Sequence, residues 1–396
     1  MSELTTDTVR GFDRLWSTLE PIGRDPAGGY RRFAYTDTDL ELREWFVAEA
    51  RARHLDVHED RAGNLWAWWE ATGREATPGE AVVTGSHLDS VPQGGAFDGP
   101  LGVVSALLAI DELRARGITP TRPIAVVAFA EEEGSRFGVA CLGSRVLTGR
   151  LPASQALALR DDEGVALAEA LSATGREPRG LGPDRELLGR VGAFVELHVE
   201  QGRGLVDAGA PVGVGSMIRP HGRWRFDLYG RADHAGTTRL SDRDDPMLAT
   251  ARLVLAARAA AEAEQDADPG AVATVGRLRI EPNGVNAIPS QVRAWLDARA
   301  DDEATVRRLV DRVAGEARTE AVEESWTPRV DLDRELGQRV EEVVARGPRT
   351  APVLATGAGH DAGILATAGV PTAMLFVRNP TGVSHAPDEH AERDDC

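Results

Sequence analysis

The chain has 396 residues, 42% of them hydrophobic, more than one core usually holds, so two globular, soluble domains are expected. Its formal charge of −18 excludes a nucleic-acid binder, which needs a basic stripe to neutralise phosphates. All 45 basic residues are arginine, which removes Schiff-base and P-loop lysine chemistry, and no serine sits in G-x-S-x-G; water activated by a metal remains.

Apolar runs such as Leu101 to Ile110 and Ile124 to Ala130 fall short of the roughly 18 residues a membrane helix needs. The opening MSELTTDTVRGFDRLW carries acids early and no apolar core of a signal peptide. Two cysteines, Cys141 and Cys396, do not make a disulfide framework and suit a reducing compartment. The expected location is cytoplasmic, with no membrane partner.

In chain order, Thr5 to Leu19 and Asp39 to Arg53 have the periodicity of amphipathic helices, with Thr36 to Asp39 offering N-caps to the second. His54 and His58 follow with no carboxylate at ligand spacing and are expected on the surface. Gly63 and Asn64 predict a turn before the strand LWAWW. Ala81 to Thr84 then predicts a buried strand that places His87 at its carboxyl end, where open α/β sheets hold their ligands. The loop after it contains Gly94, Gly95 and Gly99 and can fold Asp98 back onto His87, an arrangement suited to a metal. A helix from Leu101 to Arg116 ends at Gly117, a C-cap.

Pro123 to Ala130 predicts a second buried strand, beside that of His87, ending in Glu131, Glu132, Glu133 and Gly134. Three adjacent acids repel one another unless something positive holds them. They read either as a solvated turn or as a metal-binding carboxylate next to a general base, converged by the turn. Leu151 to Arg190 is polar and helical. Gly192 to Gly202 alternates so that Phe194, Glu196 and His198 share one strand face; His198 is either a hydrogen-bonded core residue or a ligand, with Glu196 and Glu200 available to orient its ring.

Between Gly213 and about Trp326 the pattern becomes β-α-β-β-α-β: strands at Ile218 to Tyr229, Ala271 to Ile280, Ile288 to Arg299 and Ser325 to Val330, helices at Asp245 to Glu264 and Asp302 to Glu324. This predicts a ferredoxin-like α+β domain at 214–329, inserted into a discontinuous catalytic domain formed by 1–213 and 330–396, with Gly213 and Gly215 as a hinge. Arg334 to Ala345 then reads as helix, TGAGHDA at Thr356 to Ala362 as a glycine-rich loop, and Val370 to Val377 as a last strand; the loop after it carries His385, placed as a fifth ligand would be.

Seven blocks in this order, GSHLDSVPQGGAFDG, EEEGSRFG, ELHVEQG, DHAGTT, PNGVNAIP with Arg299, GAGHDA and GVSHAPDE, resemble the hydantoinase/carbamoylase family of binuclear-metal amidases. This family belongs to the aminoacylase and carboxypeptidase clan and includes N-carbamoyl-L-amino-acid hydrolases, allantoate amidohydrolases and beta-ureidopropionases. The resemblance spans nearly the whole chain and implies an α/β fold: a mixed-sheet, zinc-peptidase-like catalytic domain with an inserted lid and dimerisation domain. It implies that His87, Asp98 and His198 hold one divalent ion, that Glu133 and His385 hold a second, and that Asp98 bridges them. Glu132 would be the general base and Asp89 the carboxylate that orients His87. Zinc suits these mixed donors best, and manganese, cobalt or nickel are accepted by similar sets.

By the same resemblance, His234 stabilises the tetrahedral oxyanion across a homodimer formed through the lid, Asn286 and Arg299 bind the substrate carboxylate, and Gln201, Gly357 and Gly359 line the substrate. The implied reaction is hydrolysis of a linear amide or ureido C–N bond on a small carboxylate such as allantoate or an N-carbamoyl-L-amino acid. An aminoacylase or dipeptidase of the clan is the alternative enzyme, and a non-catalytic small-molecule binder the alternative from another class.

Three departures stand out. Pro220 and His221 replace the family's G-Q, whose glutamine touches the substrate carboxylate; T-T-P-M is here Thr237, Thr238, Arg239 and Leu240; and the chain stops at Cys396, where relatives run on into a final helix. A neutral His221 would offer the substrate one donor and a protonated one would add charge, which predicts tighter binding below about pH 6.5.

Overall fold

The computed structural model describes residues 6–71, 77–345 and 351–396, and no helix among them is long and apolar enough to cross a membrane. The chain divides into two compact units: Met1–Ser216 with Asp331–Leu354 and Gly359–Cys396, and Met217–Val330 with Ala355–Ala358.

The sheet of the first unit runs in the order Asp56–Glu59, Leu65–Trp69, Ile124–Phe129, Ala81–His87, Val191–Val199, Thr372–Val377, Val212–Ile218. Its middle four strands are parallel, while Leu65–Trp69 and Val212–Ile218 flank them antiparallel. Both faces are covered, which is why Ile124–Phe129 is apolar throughout rather than alternating. Successive residues still divide between two cores: Trp66, Val83, Val127 and Phe194 pack on one side, and Leu65, Ala67, Val126 and Val199 on the other with Leu101 and Leu107 of the helix Pro100–Ala115. Truncating one of these buried leucines to alanine costs about 2–5 kcal/mol.

Parallel pairing brings four strand ends to one edge, because His87 lies level with Phe129 and His198 with Phe376. The chemistry-bearing segments leave from that edge. His54 and His58 are exposed and take no part in it.

The helix Asp37–Ala52 begins at Thr36, whose side chain accepts from Asp39 N–H, as expected of the N-cap. The first helix runs Thr6–Leu19, Thr5 lying outside the described residues. Leu151 to Arg190, expected to be helical, is broken into the short helices Ala153–Ala158, Leu167–Ala173 and Arg185–Leu188 and a 3-10 turn at Pro178–Gly180, because Pro152, Pro178 and Pro183 interrupt it.

The second unit has the strands His221–Tyr229, Val272–Glu281, Gln291–Arg299 and Val322–Thr327 in spatial order fourth, first, third, second, all antiparallel, with the helices Pro246–Glu264 and Glu303–Ala317. This is the ferredoxin-like arrangement. Trp224, Phe226, Leu253, Leu296 and Leu309 form its core.

Two elements differ from expectation. The first strand starts at His221 rather than Ile218, since Pro220 can donate no ladder hydrogen bond and separates it from Val212–Ile218. The helix expected to reach Glu324 ends at Ala317, where Arg318 turns into the left-handed region at φ 54°, and the last strand starts earlier, at Val322. Gly213 and Gly215, expected as a hinge, both sit inside the strand Val212–Ile218, and a Cβ on Gly215 would lie 2.9 Å from Met374 Cβ. They are glycines because neighbouring side chains occupy the space.

Candidate metal centre

His87 is the last residue of its strand, and Asp98 returns to it through the loop at 88–99. Gly99 makes the approach possible: its φ is +84°, and a Cβ there would lie 2.4 Å from His87 Cε1. His198 comes from the adjacent parallel strand, and its Nε2 is 3.2 Å from Asp98 Oδ1; His87 Nε2 is 3.7 Å from the same oxygen. The other carboxylate oxygen, Oδ2, is 3.4 Å from His385 Nε2, which in turn is 3.5 Å from Glu133 Oε2. Asp98 therefore belongs to two groups of possible ligands, one with His87 and His198 and one with Glu133 and His385. His87, His198 and Asp98 are buried, whereas the His385 side chain is 48% exposed and stands at the mouth.

Glu131, Glu132 and Glu133 form a turn rather than a solvated run. Glu131 takes φ 52°, and Asp89 accepts from the backbone N–H of both Glu132 and Glu133 at 3.1 Å, one with each oxygen. The turn converges the next two side chains: Glu132 Oε2 is 3.7 Å from His87 Nε2 while Glu133 reaches His385. Asp89 thus shapes the acidic turn with its carboxylate and also faces His87, whose Nδ1 lies 3.1 Å from the Asp89 carbonyl and 3.6 Å from Asp89 Oδ1. Similarly, His198 Nδ1 meets the Val199 carbonyl at 2.9 Å and not a glutamate. Glu196 accepts from Ser86 Oγ and Ala362 N–H, and Glu200 caps a short helix through Gly204 and Leu205 N–H. Both expected orienting glutamates are occupied elsewhere.

This donor set fits divalent cations. Each Nδ1 faces a carbonyl, so Nε2 is the atom each ring turns to the cluster and would present to a cation; burial opposes the charge on both rings, but the surrounding carboxylates outweigh it and raise their pKa. His87 Nε2, His198 Nε2 and Glu133 Oε1 are buried and have no hydrogen-bond partner among the described residues. Burial opposes the charge on Asp98, but His198 and His87 outweigh it and hold its carboxyl well below the usual carboxylate range. Burial pushes Glu132 and Glu133 well above that range, with neighbouring acids adding to it, and drives Glu131 up to about 8. Carboxylates crowded in a buried space are relieved by a cation.

Gln201 borders the cluster, its Nε2 donating to Asp98 Oδ2 at 3.0 Å and to Ser384 Oγ at 3.1 Å. Motif spacing missed three neighbours. Cys141 Sγ donates to Glu132 Oε1 at 3.2 Å, the His360 ring packs edge-on against His198 at 4.6 Å, and Glu389 Oε1 accepts from Phe97 and Asp98 N–H. Glu389 ends the quoted block GVSHAPDE, but nothing in its spacing marks it.

In the second unit, the pairing of Ala287 with His234 brings Asn286 next to the HAGTT turn. His234 is exposed and its Nδ1 accepts from Gly236 N–H at 3.0 Å, so its Nε2 carries the proton and can donate outward. His221 and Arg299 are direct cross-strand partners, but each is partly committed. Arg299 makes a bidentate pair with Asp297 at 2.7 and 3.0 Å and donates to the Gly357 carbonyl at 2.5 Å. Three of its five N–H donors are used, and Asp297 partly neutralises its charge. His221 Nδ1 meets the Arg219 carbonyl at 2.9 Å, so the single donor expected of the neutral ring is spent. Burial lowers the His221 pKa, and Arg299 and Arg223 add to that. Gly357 serves through its carbonyl, whereas a Cβ on Gly359 would meet nothing within 4 Å.

The fold and the cluster define a two-unit α/β protein with a candidate metal centre at the strand ends of its mixed sheet. Residues 83–396 match the model of peptidase family M20/M25/M40. The chain is 39% identical to an N-carbamoyl-L-amino acid amidohydrolase of Geobacillus stearothermophilus, over 97% of this chain and 95% of that one. It is 34% identical to an allantoate amidohydrolase of Escherichia coli strain K12, over 94% and 90%. A crystal structure of a hydantoinase/carbamoylase family amidase from Burkholderia vietnamiensis superimposes with a TM-score of 0.84 at 31% identity, over 97% and 93%. The chain belongs to peptidase family M20/M25/M40, within its hydantoinase/carbamoylase amidases, and is an amidohydrolase acting on carbon–nitrogen bonds.

Proposed function

We propose that the chain hydrolyses the carbamoyl or ureido C–N bond of a small carboxylate, with N-carbamoyl-L-amino acids and allantoate as the leading substrates. The sharing of Asp98 between the two ligand groups carries the two-metal hydrolysis, and the likeness to an N-carbamoyl-L-amino acid amidohydrolase and an allantoate amidohydrolase supports the substrate class. His87, Asp98 and His198 would hold one divalent ion and Asp98, Glu133 and His385 a second, zinc first, with manganese, cobalt or nickel suited to the same donors. Such ions supply Lewis acidity toward water and the scissile carbonyl.

The chain's own groups do the rest. Glu132, with Oε1 tied to Cys141, keeps Oε2 toward the cluster to take a proton from water and deliver it to the leaving nitrogen. His234 Nε2–H is the donor for the developing oxyanion. Arg299 retains two N–H donors for the substrate carboxylate, with Asn286, His221, Gln201 and the Gly357–Gly359 loop as further substrate groups.

The working unit in this reading is a homodimer formed through the inserted unit. Its strand Val272–Glu281 pairs on one side only among the described residues and exposes Val272 and Leu278, while the helix Pro246–Glu264 exposes Leu248 and Leu255. Two free cysteines suit the cytoplasm.

The test is ammonia release from a panel of N-carbamoyl-L-amino acids, ureido acids and allantoate, beside amino-acid release from dipeptides and N-acyl amino acids. Turnover confined to the carbamoyl and ureido members is expected. Preference for dipeptides or N-acyl amino acids would overturn the substrate class.

A further inference from the structure

Asp98 and His385 lie far apart in the sequence; Gln201 and Ser384 connect their side-chain ends, and Glu389 joins the backbones of their loops. Its Oε1 accepts from Phe97 N–H and Asp98 N–H, both at 2.9 Å, across 291 residues of sequence in the second case. The residue is 4% exposed. Its own backbone N–H closes the turn after His385 by donating to the Ala386 carbonyl at 3.1 Å. Room for the carboxylate exists because residue 95 is glycine: a Cβ there would lie 2.2 Å from Glu389 Oε1.

A buried acid beside another buried acid is costly, and among the described residues Glu389 Oε2 has no hydrogen-bond partner to offset that cost. Oε1, however, makes two bonds that an apolar residue cannot make. They fix the backbone from which Asp98 reaches both ligand groups, and they hold it against the loop that carries His385.

We infer that Glu389 is a positioning residue that latches the Asp98 loop to the His385 loop and so sets the affinity of both metal positions at once. The inference rests on the two-cation reading of the site. A residue acting through the shared Asp98 weakens both equivalents, whereas a ligand of one group weakens one. Removing the partners that orient metal ligands typically costs about 10- to 100-fold in affinity.

The test is calorimetric titration of Co2+ into the chelator-stripped full chain, with the cobalt absorption spectrum as a second readout. Glu389→Gln keeps an acceptor at the same reach and drops the charge; Glu389→Asp keeps the charge and shortens the reach. Both are close enough in shape to fold, and circular dichroism checks it. The expected pattern is near wild-type binding of both equivalents by Glu389→Gln, about 10- to 100-fold weakening of both by Glu389→Asp with an altered spectrum, and loss of one equivalent only in His385→Ala. Retention by Glu389→Asp with loss in Glu389→Gln would show that charge matters and not reach, and would overturn the inference. Wild-type affinity for both equivalents in both variants would overturn it alone, while a wild-type chain that binds no Co2+ would overturn the two-cation reading and the inference with it.

Discussion

The thiol of Cys141 and the carboxylate of Glu132 are hydrogen-bonded, Sγ to Oε1 at 3.2 Å, while the backbone N–H of Cys141 donates to the Glu132 carbonyl at 2.6 Å. The two oxygens of Glu132 therefore face different ways, one held by the thiol and one 3.7 Å from His87 Nε2. Cys141→Ala removes the anchor from Oε1 but leaves Oε2 free to act. One hydrogen bond is worth about 1 kcal/mol net, so kcat should fall roughly fivefold. KM should not change, and steady-state kinetics on a carbamoyl substrate separates the two; an unchanged kcat would remove Cys141 from the orientation of the base.

Stripping the metals should abolish turnover, and zinc, manganese or cobalt should restore it. The same treatment should lower Tm, because a ligand present at a hundred times its Kd stabilises the folded state by about 2.7 kcal/mol. Thermal scans with and without chelator read this directly. Full activity in metal-free protein would sink the two-cation reading.

Arg299 is the strongest candidate for the substrate carboxylate even though Asp297 shares its charge. A hydrogen bond to a charged group contributes on the order of 1.5–3 kcal/mol, so Arg299→Ala should lower kcat/KM by roughly ten- to a hundredfold or more. Asp297→Asn should act the other way on KM, since it returns charge to the guanidinium. Equal KM in all three proteins would place the carboxylate elsewhere.

His221 gives a pH signature with a defined sign. The groups around it are Arg219, Arg223, Asp297 and Arg299, and burial together with the arginines lowers its pKa below the ordinary histidine value. Because its one neutral donor is spent on the Arg219 carbonyl, His221 can donate to an anion only when protonated. Substrate affinity should therefore strengthen as pH falls, starting lower than the sequence alone predicts. A lowered folded pKa also means that the stability of the neutral ring is present above the unfolded value and is lost as pH falls through the folded one. His221→Gln should abolish the KM trend and reduce the acid loss of stability; identical KM profiles for the two proteins would remove His221 from the substrate site.

The proposed dimer is tested by light scattering, where a mass near twice 42.4 kDa is expected. Leu255→Asp with Leu278→Asp should return it to a monomer, since both side chains are exposed on the inserted unit.

Strand patterning made the framework of the site legible: Ala81–Val83 and Ile124–Phe129 are apolar because both faces are covered, and the ends of their strands point to the site. The placement of His87, Asp98 and the acidic turn followed from strand ends and glycines. Side-chain hydrogen bonding was not legible. Glu196 and Glu200 flank His198 in sequence, yet backbone N–H groups and a serine claim them, because a turn or a helix start leaves such donors unsatisfied. Glu389 was missed for the converse reason, since a contact spanning 291 residues leaves no spacing to read.

The central claim, that water activated at the Asp98 cluster is deprotonated by Glu132, is tested most directly by Glu132→Gln. Metal content and turnover are measured on the same preparation, wild type beside variant. The account predicts that both divalent ions remain bound while hydrolysis of the carbamoyl substrate falls to background, because the amide preserves shape and cannot accept the proton. Near wild-type turnover with full metal content would contradict it.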